Sequence, residues 1–231
     1  MKVTYLSHSG FLLELEETLL LFDYYKGDIP ALPDGKRLFV FVSHRHHDHF
    51  NPAIFELAGQ KPDTKYILSG DIWLKRAPAH LQEQTVRLKR GIRWEQDNLI
   101  VETLKSTDKG AAFLVEAEGK TIYHAGDLND WRWDEESEEW NRQMAEKFHK
   151  FIEPLRGKEI DAAFIPLDPR QEGNYTLGMD YFLDIANAEK VYPMHMWDDY
   201  SVIDRWLSEH KNHPGRGSIV KITYPGETFE Q

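Results

Sequence analysis

The stretch Leu38-Phe39-Val40-Phe41-Val42-Ser43-His44-Arg45-His46-His47-Asp48-His49 runs an apolar segment straight into a cluster of imidazoles and a carboxylate. The continuous run Leu38 to Val42, rich in Phe and Val, reads as a strand buried on both faces. Asn51-Pro52 follows, and Ala53 to Ala58 reads as a short helix with Pro52 at its first position. The histidines thus sit on a strand-to-helix loop at the end of a rigid core, where function is commonly carried. Imidazole nitrogen and carboxylate oxygen are the donors that suit Zn²⁺ and its first-row neighbours. In the spacing H-x-H-x-D-H, alternate residues of a short loop aim at one point while their neighbours face another. Two adjacent ions are therefore expected, His44 and His46 serving one, Asp48 and His49 the other.

The chain has 231 residues, no cysteine and a formal net charge of −11. That length suffices for one well-buried domain, and with no Ser/Gly- or Pro-rich linker, low-complexity tract or repeat, a single domain over residues 1–231 is expected. Without cysteine, disulfides and thiolate-bound metal are excluded. The opening Met1-Lys2-Val3-Thr4-Tyr5-Leu6 lacks a signal-peptide layout, and no apolar run approaches the ~20 residues of a membrane helix, so a soluble cytoplasmic protein is expected. Overall acidity argues against broad capture of nucleic acid. The carboxylates of Asp134-Glu135-Glu136-Ser137-Glu138-Glu139 read as a helix start rather than a metal site.

Strands and helices alternate along the chain. Val3 to Leu6, Phe11 to Leu15 and Leu19 to Phe22 open it as strands, followed by the histidine-loop strand and Tyr66 to Leu68. Leu99 to Thr103, Ala111 to Val115 and Thr121 to Tyr123 come next, separated by turns at Asp108-Lys109-Gly110 and Glu118-Gly119-Lys120. An amphipathic helix is predicted from about Glu135 to Arg156, a second from about Leu177 to Ala188, and a third capped by Ser201. Strands at Ala162 to Ile165, Lys190 to Pro193 and Ile219 to Ile222 alternate with them, implying two sheets covered by helices.

Partners for the histidine loop are sought at strand ends. In Thr121-Ile122-Tyr123-His124-Ala125-Gly126-Asp127 a strand stops at a glycine and presents Asp127, and a carboxylate can bridge two cations because each oxygen can serve one. His195 follows Val191-Tyr192-Pro193-Met194. Asp23 ends Leu19-Leu20-Leu21-Phe22, placed to orient a histidine through its second nitrogen.

Taken in order, Asp23, His44-x-His46-x-Asp48-His49, Gly126-Asp127 and His195 resemble the motifs of the metallo-β-lactamase superfamily, over about Tyr5 to His195. The resemblance implies an α/β (α+β) fold, the four-layer αβ/βα sandwich, with metals at one edge between the sheets. His8-Ser9-Gly10 and the compact chain are similar to the superfamily's lactonase-like branch. One departure stands out. The superfamily's further histidine, the third for the first metal, would fall in Ser106-Thr107-Asp108-Lys109-Gly110, which contains none. Asp108 is a candidate for that role, since carboxylates ligate zinc at similar distances. The other reading is an under-coordinated first site. Without that histidine a hydroxyacylglutathione hydrolase or a tRNA 3′-processing nuclease fits less well.

The expected chemistry is that of a metal-dependent hydrolase. Metal binding lowers the pKa of water from ~15.7 towards ~7, giving a metal-bound hydroxide that attacks a carbonyl or phosphoryl centre. Asp48 would hold and orient that water while ligating the second metal. His46 stands where oxygen-reducing di-iron relatives would carry a glutamate, which favours hydrolysis over redox chemistry. One or two zinc ions are expected, with manganese or iron as alternatives. The expected substrate is a small anionic ester, lactone or phosphoester. Arg170, in Asp168-Pro169-Arg170, would receive an anionic group or pair with the local Asp. Trp131 and Trp133 would wall a pocket or simply pack, and His8 and His124 read as backbone hydrogen-bonders near the site. A nuclease of the same superfamily and a non-catalytic metal-binding protein are the alternatives.

Overall fold

Neither face of the third and fourth strands is polar, and both faces are buried. In the computed structural model, which describes residues 1–231, these strands are β3 (Thr18–Phe22) and β4 (Arg37–Val42). Leu20, Phe22, Phe39 and Phe41 point into the larger hydrophobic core, whereas Leu19, Leu21, Leu38, Val40 and Val42 belong to a smaller core on the opposite face. This is the period-2 alternation of a strand buried on both sides.

Around this pair a seven-stranded sheet forms from β1 (Lys2–Ser7), β2 (Gly10–Glu14), β3, β4, β5 (Lys65–Ser69), β6 (Thr85–Leu88) and β13 (Thr228–Glu230). Its order is β13-β1-β2-β3-β4-β5-β6, antiparallel through β3 and parallel from β3 to β6. The second sheet contains β7 (Arg93–Gln96), β8 (Leu99–Lys105), β9 (Ala111–Ala117), β10 (Lys120–His124), β11 (Glu159–Pro166) and β12 (Asn187–Met194). It runs in the order β12-β11-β10-β9-β8-β7, its β10-β11-β12 part parallel. Side chains from both sheets, among them Phe11, Phe22, Phe113 and Phe164, fill the main core.

Helices α1 (Glu138–Ile152), α2 (Leu177–Ile185) and α3 (Ser201–Glu209) form the outer layer over the second sheet, burying Met144 and Phe148, Met179 and Phe182, and Ile203 and Trp206. The outer layer over the first sheet is thinner, made of 3₁₀ segments at Pro52–Gly59 and Ala79–Gln84. Asn51 caps the first of these through its side chain, with Pro52 at the start, as expected. The arrangement is the expected αβ/βα sandwich, and no helix is long and apolar enough to cross a membrane.

Several element boundaries differ from the sequence expectation. Helix α1 begins at Glu138, because Ser137 accepts a hydrogen bond from the Trp140 amide and caps it there. Asp134 to Glu136 lie before the cap. Helix α2 stops at Ile185 and the chain turns at once into β12. Ser201 is the first helical residue of α3 rather than its cap. Its amide and hydroxyl both donate to Asp199 Oδ1. The strand expected at Ile219 to Ile222 reduces to one bridge between Ile219 and Val191. Strands β6, β7 and β13, short and partly exposed, carry too weak an alternation to be read from the chain.

Candidate metal centre

Three strands deliver side chains to the same edge by the same device. β1 ends at Ser7, β3 at Phe22 and β12 at Met194, and the next residue of each, His8 (φ 55°), Asp23 (φ 41°) or His195 (φ 64°), takes the left-handed conformation. Such conformations are costly for non-glycine residues and gather at functional sites. Asp127 follows Gly126 (φ 52°), just past β10. Gly126 and Gly110 (φ 65°) press on the start of the histidine loop from the other sheet. A Cβ at Gly126 would lie 2.7 Å from Ser43 Cβ, and one at Gly110 would lie 1.8 Å from Ser43 O and 2.5 Å from His44 Cβ. Only glycine permits this approach.

Two groups of donors result. One is His44, His46, Asp108 and Asp127; the other is His8, Asp48, His49 and His195. Within each group the ligand atoms lie within 4.8 Å of one another. Asp127 faces both groups. Its Oδ2 is 3.2 Å from His44 Nε2, while its Oδ1 is 3.1 Å from His49 Nε2 and 3.4 Å from His195 Nε2. His46 Nδ1 lies 3.0 Å from His44 Nε2 and 3.4 Å from Asp108 Oδ2, which brings Asp108 beside the two histidines of the first donor group.

Buried partners set the imidazole tautomers. Ser43 Oγ donates to Asp23 Oδ2 at 2.5 Å, so it accepts from His44 Nδ1 at 3.0 Å. His49 Nδ1 donates to Asp23 Oδ2 at 2.7 Å, and His195 Nδ1 donates to Asp168 Oδ2 at 2.8 Å. In all three rings Nδ1 carries a hydrogen to its buried partner and Nε2 is turned to the centre, the arrangement that metal-binding histidines need. Asp23 thus meets His49 at the ring nitrogen turned away from the centre. We expect Asp23→Asn to weaken metal affinity by about 10- to 100-fold, measured by competition with a chromophoric chelator.

The donor set fits divalent cations. His8 Nε2, His49 Nε2 and Asp127 Oδ1 are buried without a hydrogen-bond partner, a state that costs about 1–3 kcal/mol per group unless something satisfies it. The charges point the same way. Burial alone would push the Asp127 carboxyl up, but His49, His44 and His195 outweigh it and hold the group well below the usual carboxylate range. Burial disfavours a proton on His49, yet Asp127 and Asp23 on either side raise it well above the ordinary histidine value. Either a proton or a metal can therefore answer this negative charge. Metal affinity is expected to fall as the pH is lowered, with protons released on metal binding, as titration with a pH indicator would show.

Two residues of the candidate centre escaped the sequence reading. His8 was expected only to bond the backbone, but its Nε2 lies 3.5 Å from Asp48 Oδ2 and its ring 4.2 Å from that of His195. Burial lowers its pKa to about 4. Asp168 is fully buried and orients His195, and Arg170 grips it through Nε and Nη2. Burial raises the Asp168 carboxyl, but the bonds from His195 and Arg170 outweigh it and bring it to about 2. Of the two roles open to Arg170, the structure shows the ion pair with the local Asp. His124 does bond the backbone, through Ser9 O and the Gly126 amide. His47, His80 and His149 are exposed, while His210 and His213 are half-buried beside Trp206, His210 facing Asp180.

A cleft of about 580 Å³ opens onto both donor groups, walled by Trp131, Trp133, Trp140 and Trp197. Trp131 is mostly packing, buried and donating to Asp127 O at 2.9 Å.

Fold and site together define a metallo-hydrolase architecture, and comparison with known proteins agrees. The β-lactamase superfamily domain matches residues 2–142. The whole chain matches the whole of a UPF0173 metal-dependent hydrolase from Opitutus terrae at 33% identity and of another from Pelotomaculum thermopropionicum at 25%. Igni18, a metallo hydrolase from Ignicoccus hospitalis, shares the fold with a TM-score of 0.66 and 19% identity, over 100% of this chain and 98% of that one. The chain belongs to the β-lactamase superfamily. Within it, the chain falls among the metal-dependent hydrolases that it matches from end to end.

Proposed function

We propose that the protein hydrolyses a small ester, lactone or phosphoester with one or two zinc ions, manganese or iron being the alternatives. His44, His46, Asp108 and Asp127 would hold one ion, and His8, Asp48, His49 and His195, with Asp127 shared, the other. When bound, the metal acidifies a water from ~15.7 towards ~7 and polarises the bond under attack. The observation that carries this reading is Asp127, whose two oxygens divide between the two donor groups.

The chain's own residues do the rest. Burial would raise the Asp48 carboxyl, but His8 and His49 hold it below the usual range, so it stays charged and can accept a hydrogen from the attacking water. Ser43, Asp23 and Asp168 keep the imidazoles from turning. Arg170, which lines the same cleft, can meet an anionic substrate group with the donor its Asp168 pair leaves unused.

The two ion sites differ in exposure. The His46 and Asp108 side chains are 41% and 39% exposed, whereas His49 is fully buried and His195 nearly so. The ion held by His49 and His195 is therefore expected to bind more tightly, so that metal titration shows a strong step followed by a weak one. Arg170 is the only Lys or Arg lining the cleft, which supports a small substrate over a nucleic acid.

Metal analysis of the purified protein, followed by turnover on a panel of lactones, thioesters, phosphodiesters and RNA, tests the proposal. Turnover of a small ester, lactone or phosphoester, lost on chelation and restored by metal, is expected. Activity on RNA alone would favour a nuclease, and less than one equivalent of metal with no turnover a non-catalytic binder.

A further inference from the structure

One tryptophan of the cleft is not placed as a core residue is. Trp206 and Trp131 are buried. Trp197, by contrast, is 43% exposed and is held with φ 53°. An indole in water forgoes apolar burial, and a left-handed backbone adds strain, so its position opposes stability twice over. Its neighbours show where it points. Its ring lies 4.7 Å from His8 and 5.8 Å from His195, beside the donor group of Asp48 and His49. The guanidinium of Arg170 sits 4.3 Å from the Trp197 ring and 5.8 Å from the Trp133 ring, fixed by its pair with Asp168. Trp133, half-buried, lies parallel to Trp131, with ring planes 4° apart. Trp140 and Met144 of α1 close the far wall.

We infer that this wall is a subsite for a flat aromatic group of the substrate, which would be an aryl ester, aryl-substituted lactone or aryl phosphoester. The inference rests on the hydrolase reading above. Rigid indole faces beside a fixed guanidinium favour a planar π-system over a flexible alkyl chain, because stacking adds to simple burial and little side-chain motion is lost. An acyl or phosphoryl centre joined to that group then reaches the donors that surround Asp127.

The test is equilibrium binding of phenylacetate and hexanoate to the metal-loaded protein, followed by calorimetry, with turnover of phenyl and hexyl esters measured in parallel. Phenylacetate should bind about three- to ten-fold more tightly than hexanoate. The preference should vanish in Trp197→Leu, whose exposed position spares the core, and persist in Trp73→Leu, a change at an exposed tryptophan (59%) outside the cleft. Equal binding of the two acids, or an unchanged preference in Trp197→Leu, overturns the subsite. Turnover without aryl preference sinks the subsite and leaves the hydrolase standing. Aryl preference without turnover of any ester, lactone or phosphoester supports the subsite and sinks the hydrolase.

Discussion

Asp127→Ala should strip the protein of most of its metal and lower turnover by about a thousand-fold, the several kcal/mol that metal catalysis contributes. The reasoning is local. Asp127 places one oxygen by His44 and the other by His49 and His195, so its removal takes a donor from both groups at once. Full metal content in this variant, by elemental analysis of protein that still unfolds cooperatively, would refute the bridging role.

Gly110→Ala should destabilise the fold by about 3 kcal/mol, read from urea unfolding, because it combines overpacking with a backbone penalty. The added Cβ would collide with Ser43 O and His44 Cβ. Gly35 offers the matching control. It also has a positive φ, 78°, but a Cβ there meets nothing within 4 Å, so Gly35→Ala should cost only about 1 kcal/mol. Equal losses would show that backbone strain alone matters and that the press of Gly110 on the histidine loop does not. The Gly110 variant should also lose metal affinity, since His44 must move.

The parts of the centre legible in the chain are those with a local signature. The H-x-H-x-D-H loop follows an unmistakable strand, and Asp23, Asp127 and His195 each come directly at or just after a strand end. Asp108 was legible only by subtraction, as the acidic residue where a histidine was missing, and the structure brings it to 3.4 Å from His46. Asp168 and His8 were not assigned. Both depend on long-range packing: Asp168 meets His195 because β11 and β12 pair in parallel, with Pro166 opposite Met194. His8 meets Asp48 and His195 only once β1 and β12 face each other across the core. The fold read well where alternation was strong, as in β3 and β4, and poorly at the sheet margins, where β7 and β13 are largely exposed.

The ligand donors are divided between the sheets, His8, His44 and His49 at the ends of one and Asp127 and His195 at the ends of the other. A cation gripped by both would act as a rivet through the seam, so stripping it should ease the sandwich apart at that rim first. Chelator should then lower the melting temperature and quicken amide exchange in the residues flanking the rim, while the far edge of the sandwich keeps its protection.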